Sequence, residues 1–583
     1  MRKEFYFFIV LILLQSAVLQ SQEVQDLTEA IPQEKMFVHY NSSLFLAGES
    51  LRYKLYAINE STNKLSDISK LGYVEVIRQD GIALFQQKID LESGSGYGDF
   101  FIPIDVKSGN YKIVAYTQWM KNAGKENFFK GDLAIINPYT EDQGAISDST
   151  GANNSSFYLD DNYKDKREVE NALVTISTSA EKYRKREKVI LNITFKNADA
   201  ESGSYSVLVR KLDTFAKPQH TSASNWSLEQ QSNNLIQNSD GINYFPEMRG
   251  EIINGKILNK MSANGSFDKR IVALSIPGRN DILKFAQTDE EGNFHFNLNV
   301  SNFEGESAVL QVMNRGTENF QIQLEEKFVD NYQDFNFNNF RFKPEMREWL
   351  KKRSIYNQIE NSYLAEKSDE IILSSESTSF YGELPEVYNL DDYNRFPTVR
   401  ETFVEIIRFG AIRKGNDGQS QFEVRSYKSS LSTGLPTLLL VDGVLIQNHE
   451  EFMDFDSRKI QRIGILRDKY FLGPLVFQGI ITIETKQQNY FPLISREDIL
   501  ETKPLKTSPQ KLYFHPDYEA SQQARIPDFR FELYWNPNLK FTKGNKNIEF
   551  YTSDVSGTYQ VSLEGFTGEG KPVSATTTID VVE

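Results

Sequence analysis

Apolar and polar residues alternate along much of the chain with a period of two, which is the spacing of a β-strand that packs on one side. Residues 50–58 (S-L-R-Y-K-L-Y-A-I) show the pattern clearly, because every second residue from Leu51 to Ala57 is apolar. This segment predicts a half-buried strand. Similar runs predict strands at 111–116, 188–195, 205–212, 250–258, 270–276, 294–298, 422–425, 437–441, 462–466, 479–485, 529–535, 547–552, 557–563 and 575–582.

Three segments instead show helical spacing. After Pro344, an apolar stripe (Met346, Trp349, Leu350, Ile355, Ile359 and Tyr363) predicts a helix packed on a neighbouring sheet. Thr398 and Glu401 form a capping-box pattern before a second helix, and Gly410 can close it. A short third helix fits near 449–459.

The order of these segments predicts a mainly β chain of several Ig-like β-sandwich domains in tandem, with one small α+β domain. Changes of pattern and composition set the boundaries. We expect a signal peptide (1–21), a β-sandwich (22–139), a linker (140–168), a second β-sandwich with a polar excursion (169–245), a third β-sandwich (246–332), a helical connector (333–384), the α+β domain (385–490) and a C-terminal β-sandwich (491–583).

The first residues have the features of a secretory signal. Arg2 and Lys3 give a positive start, and residues 5–14 are an unbroken apolar run that is too short to span a bilayer as a helix. Cleavage is expected near Ser21. We therefore expect an exported chain that is peripheral to a membrane rather than inserted in it.

Composition narrows the function classes. The chain has 583 residues, a formal net charge of −15 and no cysteine. Lack of cysteine excludes disulfides, Cys-ligated metal sites and a thiol nucleophile, and an exported chain without disulfides is typical of a bacterial envelope. The acidic balance argues against nucleic acid as a partner, because that binding needs clustered Lys and Arg.

No catalytic pattern emerges from the residues. The five histidines (His39, His220, His295, His449 and His515) lack metal-ligand spacing. Ser95 and Ser420 only approach a nucleophile-elbow pattern, and Asp160, Asp161 and Asp165 lack the spacing of a calcium loop. We interpret Asp442-Gly443 as a turn and His295 as a surface residue. The sequence thus predicts no catalytic, cofactor-binding or metal site and no enzyme activity.

Residues 385–487 resemble the plug domain of TonB-dependent outer-membrane receptors of the Bacteroidota. The resemblance rests on the strand 436–445, which contains D-G, on 460–468 with its I-x-x-I-x-x-L-R-D pattern, and on 479–486 with G-x-I-x-I-x-T-K. One departure is that K-Y-F-L-G-P at 469–474 replaces the family's Tyr-Gly and Gly-rich segment.

Other blocks resemble domains found in multidomain Bacteroidota envelope proteins. Residues 47–53, 108–111 and 115–120 resemble the second macroglobulin-type (MG2) domain of the α2-macroglobulin superfamily, although the absence of cysteine removes that superfamily's thioester. The T-D-E-E-G-N-F run at 288–294 resembles the carboxypeptidase regulatory-like domain, an accessory β-sandwich. The C-terminal segments 528–537 and 550–559 resemble the terminal β domain of the same multidomain proteins.

These resemblances imply a plug-like domain without a barrel. A plugged barrel of about 22 strands needs roughly 220 residues, whereas 97 residues follow Lys486. The leading hypothesis is a non-enzymatic periplasmic scaffold or accessory subunit that associates with an outer-membrane barrel protein or complex in assembly, export or uptake. The alternative is a surface-exposed binding or adhesion protein exported through a C-terminal β sorting domain. An envelope hydrolase is a third hypothesis, for which the sequence supplies no nucleophile.

Overall fold

The computed structural model describes most of the chain from residue 31 onward. The described residues are 31–144, 146, 173–196, 202–212, 221–232, 243–259, 267, 269–298, 305, 307–313, 320–337, 340–372, 378–415, 418–427, 433–488, 490, 498–519, 525–541 and 545–583. The predicted signal peptide, most of the predicted linker and His220 lie outside them.

Strands dominate the described secondary structure. In chain order, the first strands are β1 (Glu34–Tyr40), β2 (Leu44–Leu46), β3 (Ser50–Asn59), β4 (Leu71–Arg78), β5 (Ala83–Asp90), β6 (Ser95–Phe101), β7 (Gly109–Tyr116), β8 (Phe129–Ile136), β9 (Val174–Thr178), β10 (Lys182–Tyr183), β11 (Lys188–Phe195) and β12 (Ser204–Lys211). Next are β13 (Glu251–Asn259), β14 (Ile271–Ile276), β15 (Ile282–Gln287), β16 (Asn293–Leu298), β17 (Ala308–Val312), β18 (Phe320–Leu324), β19 (Glu370–Ile371), β20 (Glu386–Asn389), β21 (Gly410–Lys414), β22 (Ser420–Val424), β23 (Leu438–Val441), β24 (Val444–Leu445), β25 (Ile460–Leu472) and β26 (Leu475–Thr485). The last are β27 (Ile499–Thr502), β28 (Lys511–Leu512), β29 (Glu532–Leu539), β30 (Asn545–Tyr551), β31 (Gly557–Phe566) and β32 (Pro572–Val581).

The α-helices are few and mostly short: α1 (Ala223–Ser232), α2 (Arg347–Ser362), α3 (Val399–Glu405) and α4 (Glu450–Met453). Strands hold 47% of the described residues and helices 12%, which confirms the predicted mainly β class with tandem sandwiches. No helix among the described residues is long and apolar enough to cross a bilayer. The chain divides into unit 1 (1–248, 328–373 and 507–583) and unit 2 (249–327 and 374–506).

The first sandwich of unit 1 is built from β1 to β8. One sheet has the order β1-β3-β6 and the other β2-β8-β7-β4-β5. Strand β3 was expected to be half-buried, but both of its faces are covered: Lys54, on its polar face, is 1% exposed. The Lys54 Nζ donates to Ser204 Oγ (2.7 Å) and to the Tyr205 carbonyl (3.1 Å) of the neighbouring sandwich. Burial lowers the Lys54 pKa to about 7.

The second sandwich of unit 1 draws its strands from two distant segments. One sheet has the order β10-β32-β31-β12-β29 and the other β30-β11-β9. The structure therefore differs from the predicted boundaries, because strands from 169–245 and 491–583 share both sheets of a single sandwich. The alternating pattern identifies the strands of each segment but carries no information about their pairing. Their apolar faces meet in one core.

Unit 2 joins a third sandwich to a mixed sheet. The sandwich has sheets β16-β13-β18 and β15-β14-β17-β27, and the mixed sheet has the order β20-β25-β26-β23-β24. The predicted capping box is present, because Thr398 Oγ1 accepts from the Glu401 N–H (3.2 Å) while Glu401 Oε2 accepts from the Thr398 N–H (3.4 Å). Gly410 begins β21 instead of closing α3, which ends five residues earlier at Glu405.

The second sandwich contains a buried carboxyl that makes unit 1 sensitive to pH. Glu564 accepts hydrogen bonds from the Ala223 N–H at the start of α1 (2.8 Å) and from Ser574 Oγ (2.6 Å). Burial, the largest cause, raises its pKa from 4.5 to about 7. The folded state therefore binds this proton more tightly than the unfolded state does.

We predict that the contribution of Glu564 to the stability of unit 1 is lost as pH rises from about 4.5 to about 7, because the unfolded chain ionises Glu564 at lower pH than the folded chain does. Glu564→Gln removes this ionisation, so the variant should gain stability over the wild-type chain toward pH 8. Melting temperatures across the pH range measure the difference. Parallel pH profiles for the two proteins would contradict the assignment.

Candidate functional site

A cleft with a volume of about 180 Å³ lies in unit 1. Its walls come from the start of the first sandwich, from α2 and the turn after it, and from the second sandwich at β29. We call it the unit 1 cleft. Its charged lining residues are Glu49, Arg52, Arg210, Arg353, Glu360, Lys367, Arg530 and Glu532.

A buried ion pair holds α2 against the first sandwich. Arg353 is 1% exposed, and its guanidinium donates to both carboxylate oxygens of Glu49 (2.8 and 2.7 Å) and to the Leu44 carbonyl (3.0 Å). Burial raises the pKa of Glu49, but the adjacent Arg353 charge and its hydrogen bonds outweigh burial, so the pKa is lowered overall. The bidentate geometry fixes both the position and the rotation of the helix.

Two asparagines extend this contact along the helix. Asn357 Nδ2 donates to the Ala47 carbonyl and Asn361 Nδ2 to the Gly48 carbonyl, both at 2.9 Å. Gly48 has φ +88°, and a Cβ there would lie 2.8 Å from Asn361 Nδ2. Only glycine satisfies both the backbone conformation and the close approach.

The buried face of α2 therefore differs from the predicted apolar stripe. Arg353, Ser354 and Asn357 are its buried residues, whereas Ile355 is exposed. Trp349 and Leu350 do pack on an apolar cluster at the start of the helix, as the stripe predicts. The sequence does contain a pattern that indicates this buried polar face: Arg353, Asn357 and Asn361 recur every four residues and so share one face of the helix.

Glu532 links the two sandwiches across the cleft floor. Its carboxylate accepts from Asn41 Nδ2 (2.6 Å) and Arg52 Nη1 (2.5 Å), and Arg210 Nη1 lies 3.6 Å away. These partners come from the first sandwich and from β12 of the second. The Glu532 carboxylate therefore connects the two sandwiches at the cleft through its hydrogen bonds and ion pairs.

The remaining wall is also built from paired charges. Arg530 forms a bidentate pair with Asp528 (2.7 and 2.8 Å). Burial raises the Asp528 pKa, but Arg530 more than reverses this, and the pKa is lowered overall. Lys367 Nζ donates to Glu360 Oε2 (2.7 Å), yet burial still raises the pKa of Glu360.

His515 lies at the cleft as a neutral ring. It stacks on Tyr534 with ring centroids 4.3 Å apart. Burial, and then the charges of Arg530 and Arg52, lower its pKa to about 3, while a hydrogen bond to the Trp535 backbone acts in the opposite direction. Its Nδ1 has no hydrogen-bond partner.

The other described histidines have ordinary structural roles. His39 Nδ1 hydrogen-bonds Ser206 Oγ (2.7 Å), and the buried His449 Nδ1 accepts from the Phe422 N–H (3.1 Å). His295 is exposed on β16, opposite Phe294 and Phe296, which confirms its predicted surface position. Among the described residues, no group of three or more His, Asp or Glu side chains is placed to hold a metal ion.

The Asp442-Gly443 pair forms the predicted turn between β23 and β24. Both residues have positive φ (+48° and +77°), as a tight two-residue hairpin requires. The Asp442 carboxylate accepts from the Thr485 N–H and Thr485 Oγ1, both at 2.7 Å. This carboxylate therefore ties the hairpin to β26.

The mixed sheet of unit 2 is covered on both faces by its own chain. Leu439 and Val441 of β23 pack in one core with α3 and α4, whereas Leu438 and Leu440 pack with Ala273 and Leu283 of the third sandwich. The unbroken apolar run of β23 is typical of a strand buried on both sides. Hydrogen bonds reinforce the second contact, including Gln311 Nε2 to the Leu445 carbonyl (2.8 Å) and the Leu445 N–H to Ser275 Oγ (3.2 Å).

The end of the β25–β26 hairpin packs through Tyr470, Leu472 and Leu475 on the core shared with the third sandwich. Phe471, near its tip, is 72% exposed. Closer to the sheet, the Arg467 guanidinium lies 4.0 Å from the ring centroids of both Phe409 and Tyr427. Its Nε also donates to the Arg425 carbonyl (2.9 Å). The hairpin thus carries an exposed aromatic side chain at Phe471 and a cation–π contact of Arg467 with two aromatic rings.

No family model matches the chain, and no curated protein matches it. Among solved structures, it is similar to Escherichia coli α2-macroglobulin activated by porcine elastase (10% identity, 94% of this chain, 44% of that chain, TM-score 0.22). It is also similar to Salmonella α2-macroglobulin reacted with methylamine (9%, 94%, 39%, TM-score 0.22) and to the Yersinia pseudotuberculosis adhesin InvE (8%, 50%, 57%, TM-score 0.12). The chain spans about four tenths of each macroglobulin, and at these TM-scores the similarities support no conclusion about function.

We predict that Arg353→Met destabilises unit 1 by about 3–5 kcal/mol, because it leaves the Glu49 carboxylate buried without its cation. Denaturant unfolding measures the change. Lys352→Met, at an exposed position on the same helix, should change stability by about 0.5 kcal/mol or less.

The double variant Glu49→Gln/Arg353→Met should recover part of the loss, because neither charge then remains unpaired. Additive single-variant effects, or equal losses for the Arg353 and Lys352 variants, would show that the ion pair does not position α2.

Proposed function

We propose that the chain is a non-enzymatic periplasmic scaffold or accessory subunit that associates with an outer-membrane barrel protein or complex. The observation that carries this proposal is the mixed sheet of unit 2. Its sequence resembles a receptor plug domain, and its long β25–β26 hairpin presents Phe471 to solvent. Assembly, export and uptake machinery all contain such barrels.

The double coverage of the mixed sheet restricts how a partner can bind. Both broad faces are occupied by apolar cores of unit 2 itself. A barrel protein would therefore contact the exposed residues of the β25–β26 hairpin and the surrounding loops, rather than a face of the sheet. Exposed aromatic and arginine side chains are the residue types that anchor protein interfaces, and Phe471, Tyr427 and Arg467 supply them.

The unit 1 cleft supports a scaffold role rather than catalysis. Its carboxylates are engaged with cations: Glu49 with Arg353, Glu532 with Arg52, and Glu360 with Lys367. General acid–base or nucleophilic catalysis needs a group held ready to exchange a proton with substrate. Here the charged groups instead fix one structural element against another.

The second sandwich weakens the alternative of a detachable C-terminal sorting domain. Strand β12 pairs with both β31 and β29, so C-terminal strands flank an earlier strand within one sheet. Cores shared in this way fold as a unit. A surface-exposed adhesion protein could still carry such a sandwich, but the structure offers no separable C-terminal module in support.

Affinity purification from detergent-solubilised membranes of the source cells tests the proposal. We predict that the tagged full chain brings down a barrel protein and that Phe471→Asp reduces its recovery several-fold, because a charge at the hairpin tip opposes burial in an interface. Val404→Asp is the matched control, since Val404 is 70% exposed on α3 of the same domain. Equal recovery with both variants, or recovery of the chain without a barrel protein, would contradict the proposal.

A further inference from the structure

The arginines of residues 385–490 divide into two groups according to their ion pairs. Five of the eight have an acidic partner within this segment: Arg395, Arg400, Arg413, Arg458 and Arg462. The other three, Arg408, Arg425 and Arg467, form no ion pair among the residues that the structure describes. The chain has 80 acidic residues against 65 basic ones, so a shortage of carboxylates does not explain the difference.

The three unpaired arginines lie together. The Arg467 guanidinium is 4.0 Å from the ring centroids of both Phe409 and Tyr427. The Arg408 guanidinium is 5.3 Å from the Phe409 centroid, so two cations share one aromatic ring. Arg467 Nε donates to the Arg425 carbonyl (2.9 Å), which places the third arginine beside them. We call these five residues the arginine patch.

A partner can reach the arginine patch from solvent. Arg408 and Arg425 are exposed, and Arg467 and Phe409 are partly exposed. Tyr427 is 52% exposed. The patch is therefore a surface feature with its charges accessible.

Arg467 is held in one position at the centre of the patch. Its Nε and Nη2 donate to the carbonyls of Arg425 (2.9 Å) and Ser426 (3.2 Å), whereas its Nη1 makes no hydrogen bond among the described residues. A guanidinium fixed in this way has lost most of its side-chain freedom before a partner binds, which lowers the entropic cost of a further contact.

The β25–β26 hairpin extends the patch. Between Lys469 and Leu472 the pairing with β26 is regular, so alternate side chains share a face. Tyr470 and Leu472 pack toward the third sandwich, which puts Lys469 and Phe471 on the opposite face of the hairpin, the side of the mixed sheet that α3 covers. Both residues are exposed, and Lys469 also has no ion pair among the described residues. Asp468, the acidic residue between the cations, is exposed and bonded to none of them.

The residue types favour a protein as the partner. The patch combines three arginines and two aromatic residues with a single lysine at Lys469, and arginine and aromatic residues are enriched in protein interfaces while lysine is depleted. Anionic membranes and nucleic acids are instead bound by larger clusters of lysine and arginine. The planar guanidinium matches the geometry of a carboxylate, which is the anionic group that proteins present.

We propose that the arginine patch and Lys469 bind an acidic segment of a partner protein, whose Asp and Glu carboxylates pair with Arg408, Arg425 and Arg467. This inference rests on the proposed function in taking that partner to be the barrel protein. It adds the chemistry of the contact, because it requires carboxylates on the partner beside the site that receives Phe471.

Calorimetric titration of the full chain with a decaglutamate peptide tests the charge preference without the partner. We expect saturable binding that weakens as salt concentration rises, because exposed charges are screened. Decaglutamine, which has the same length without the charges, should not bind. Equal heats from the two peptides would overturn the proposal.

A pair of double variants locates the binding site. Arg408→Gln/Arg425→Gln should weaken decaglutamate binding roughly fivefold, as expected for the loss of two exposed charge contacts. Arg413→Gln/Arg458→Gln is the matched control, since it removes the same charge from two exposed arginines that already have carboxylate partners. Equal affinities of the two double variants would show that net charge, rather than the patch, attracts the peptide.

Affinity purification from membranes with the same variants separates this inference from the proposed function. We expect recovery of the barrel protein to fall several-fold with Arg408→Gln/Arg425→Gln and to stay unchanged with the control. Undiminished recovery with both would overturn the acidic contact and leave the barrel association standing, whereas no barrel protein with the wild-type chain would overturn the association itself. Patch-dependent binding to phosphatidylglycerol vesicles without decaglutamate binding would assign the patch to a membrane surface and overturn the acidic protein partner.

Discussion

The bidentate pair between Arg353 and Glu49 is the interaction on which unit 1 depends. A guanidinium this deeply buried is stable only with its carboxylate, so the helix must lie where Glu49 is. That placement brings Glu360, in the last turn of α2, and Lys367, after the helix, to the segment before β29, where they hydrogen-bond the Phe529 N–H and the Pro527 carbonyl. The unit 1 cleft and its network of paired charges follow from one helix position.

The alternation of apolar and polar residues predicted much of the local structure. Alternation placed β3, β11, β12 and the His295 face of β16 correctly, because a period of two follows directly from the pleat of a strand. The capping box at Thr398 and the hairpin turn at Asp442 were also predictable, since each is a local arrangement set by a few neighbouring side chains.

Long-range structure was not predictable from these patterns. Alternation cannot show that β12 pairs with β29 and β31, more than 300 residues away in the chain. It also cannot show that a second sandwich covers the polar face of β3, where Lys54 finds partners only through tertiary contact. The cleft depends on contacts of the same kind, because the hydrogen bonds of Arg353 and Glu532 are made between distant segments. For α2, the four-residue spacing of Arg353, Asn357 and Asn361 was the one sequence pattern that indicated the buried polar face of the helix.

We propose that unit 2 meets an outer-membrane barrel protein through the β25–β26 hairpin. Placing a photo-crosslinking amino acid at position 471 in intact source cells tests this contact most directly. The account predicts a crosslinked product that contains a barrel protein, and no such product when the same group replaces Val404. Products that contain only other partners, or a barrel product of equal yield from position 404, would contradict the account.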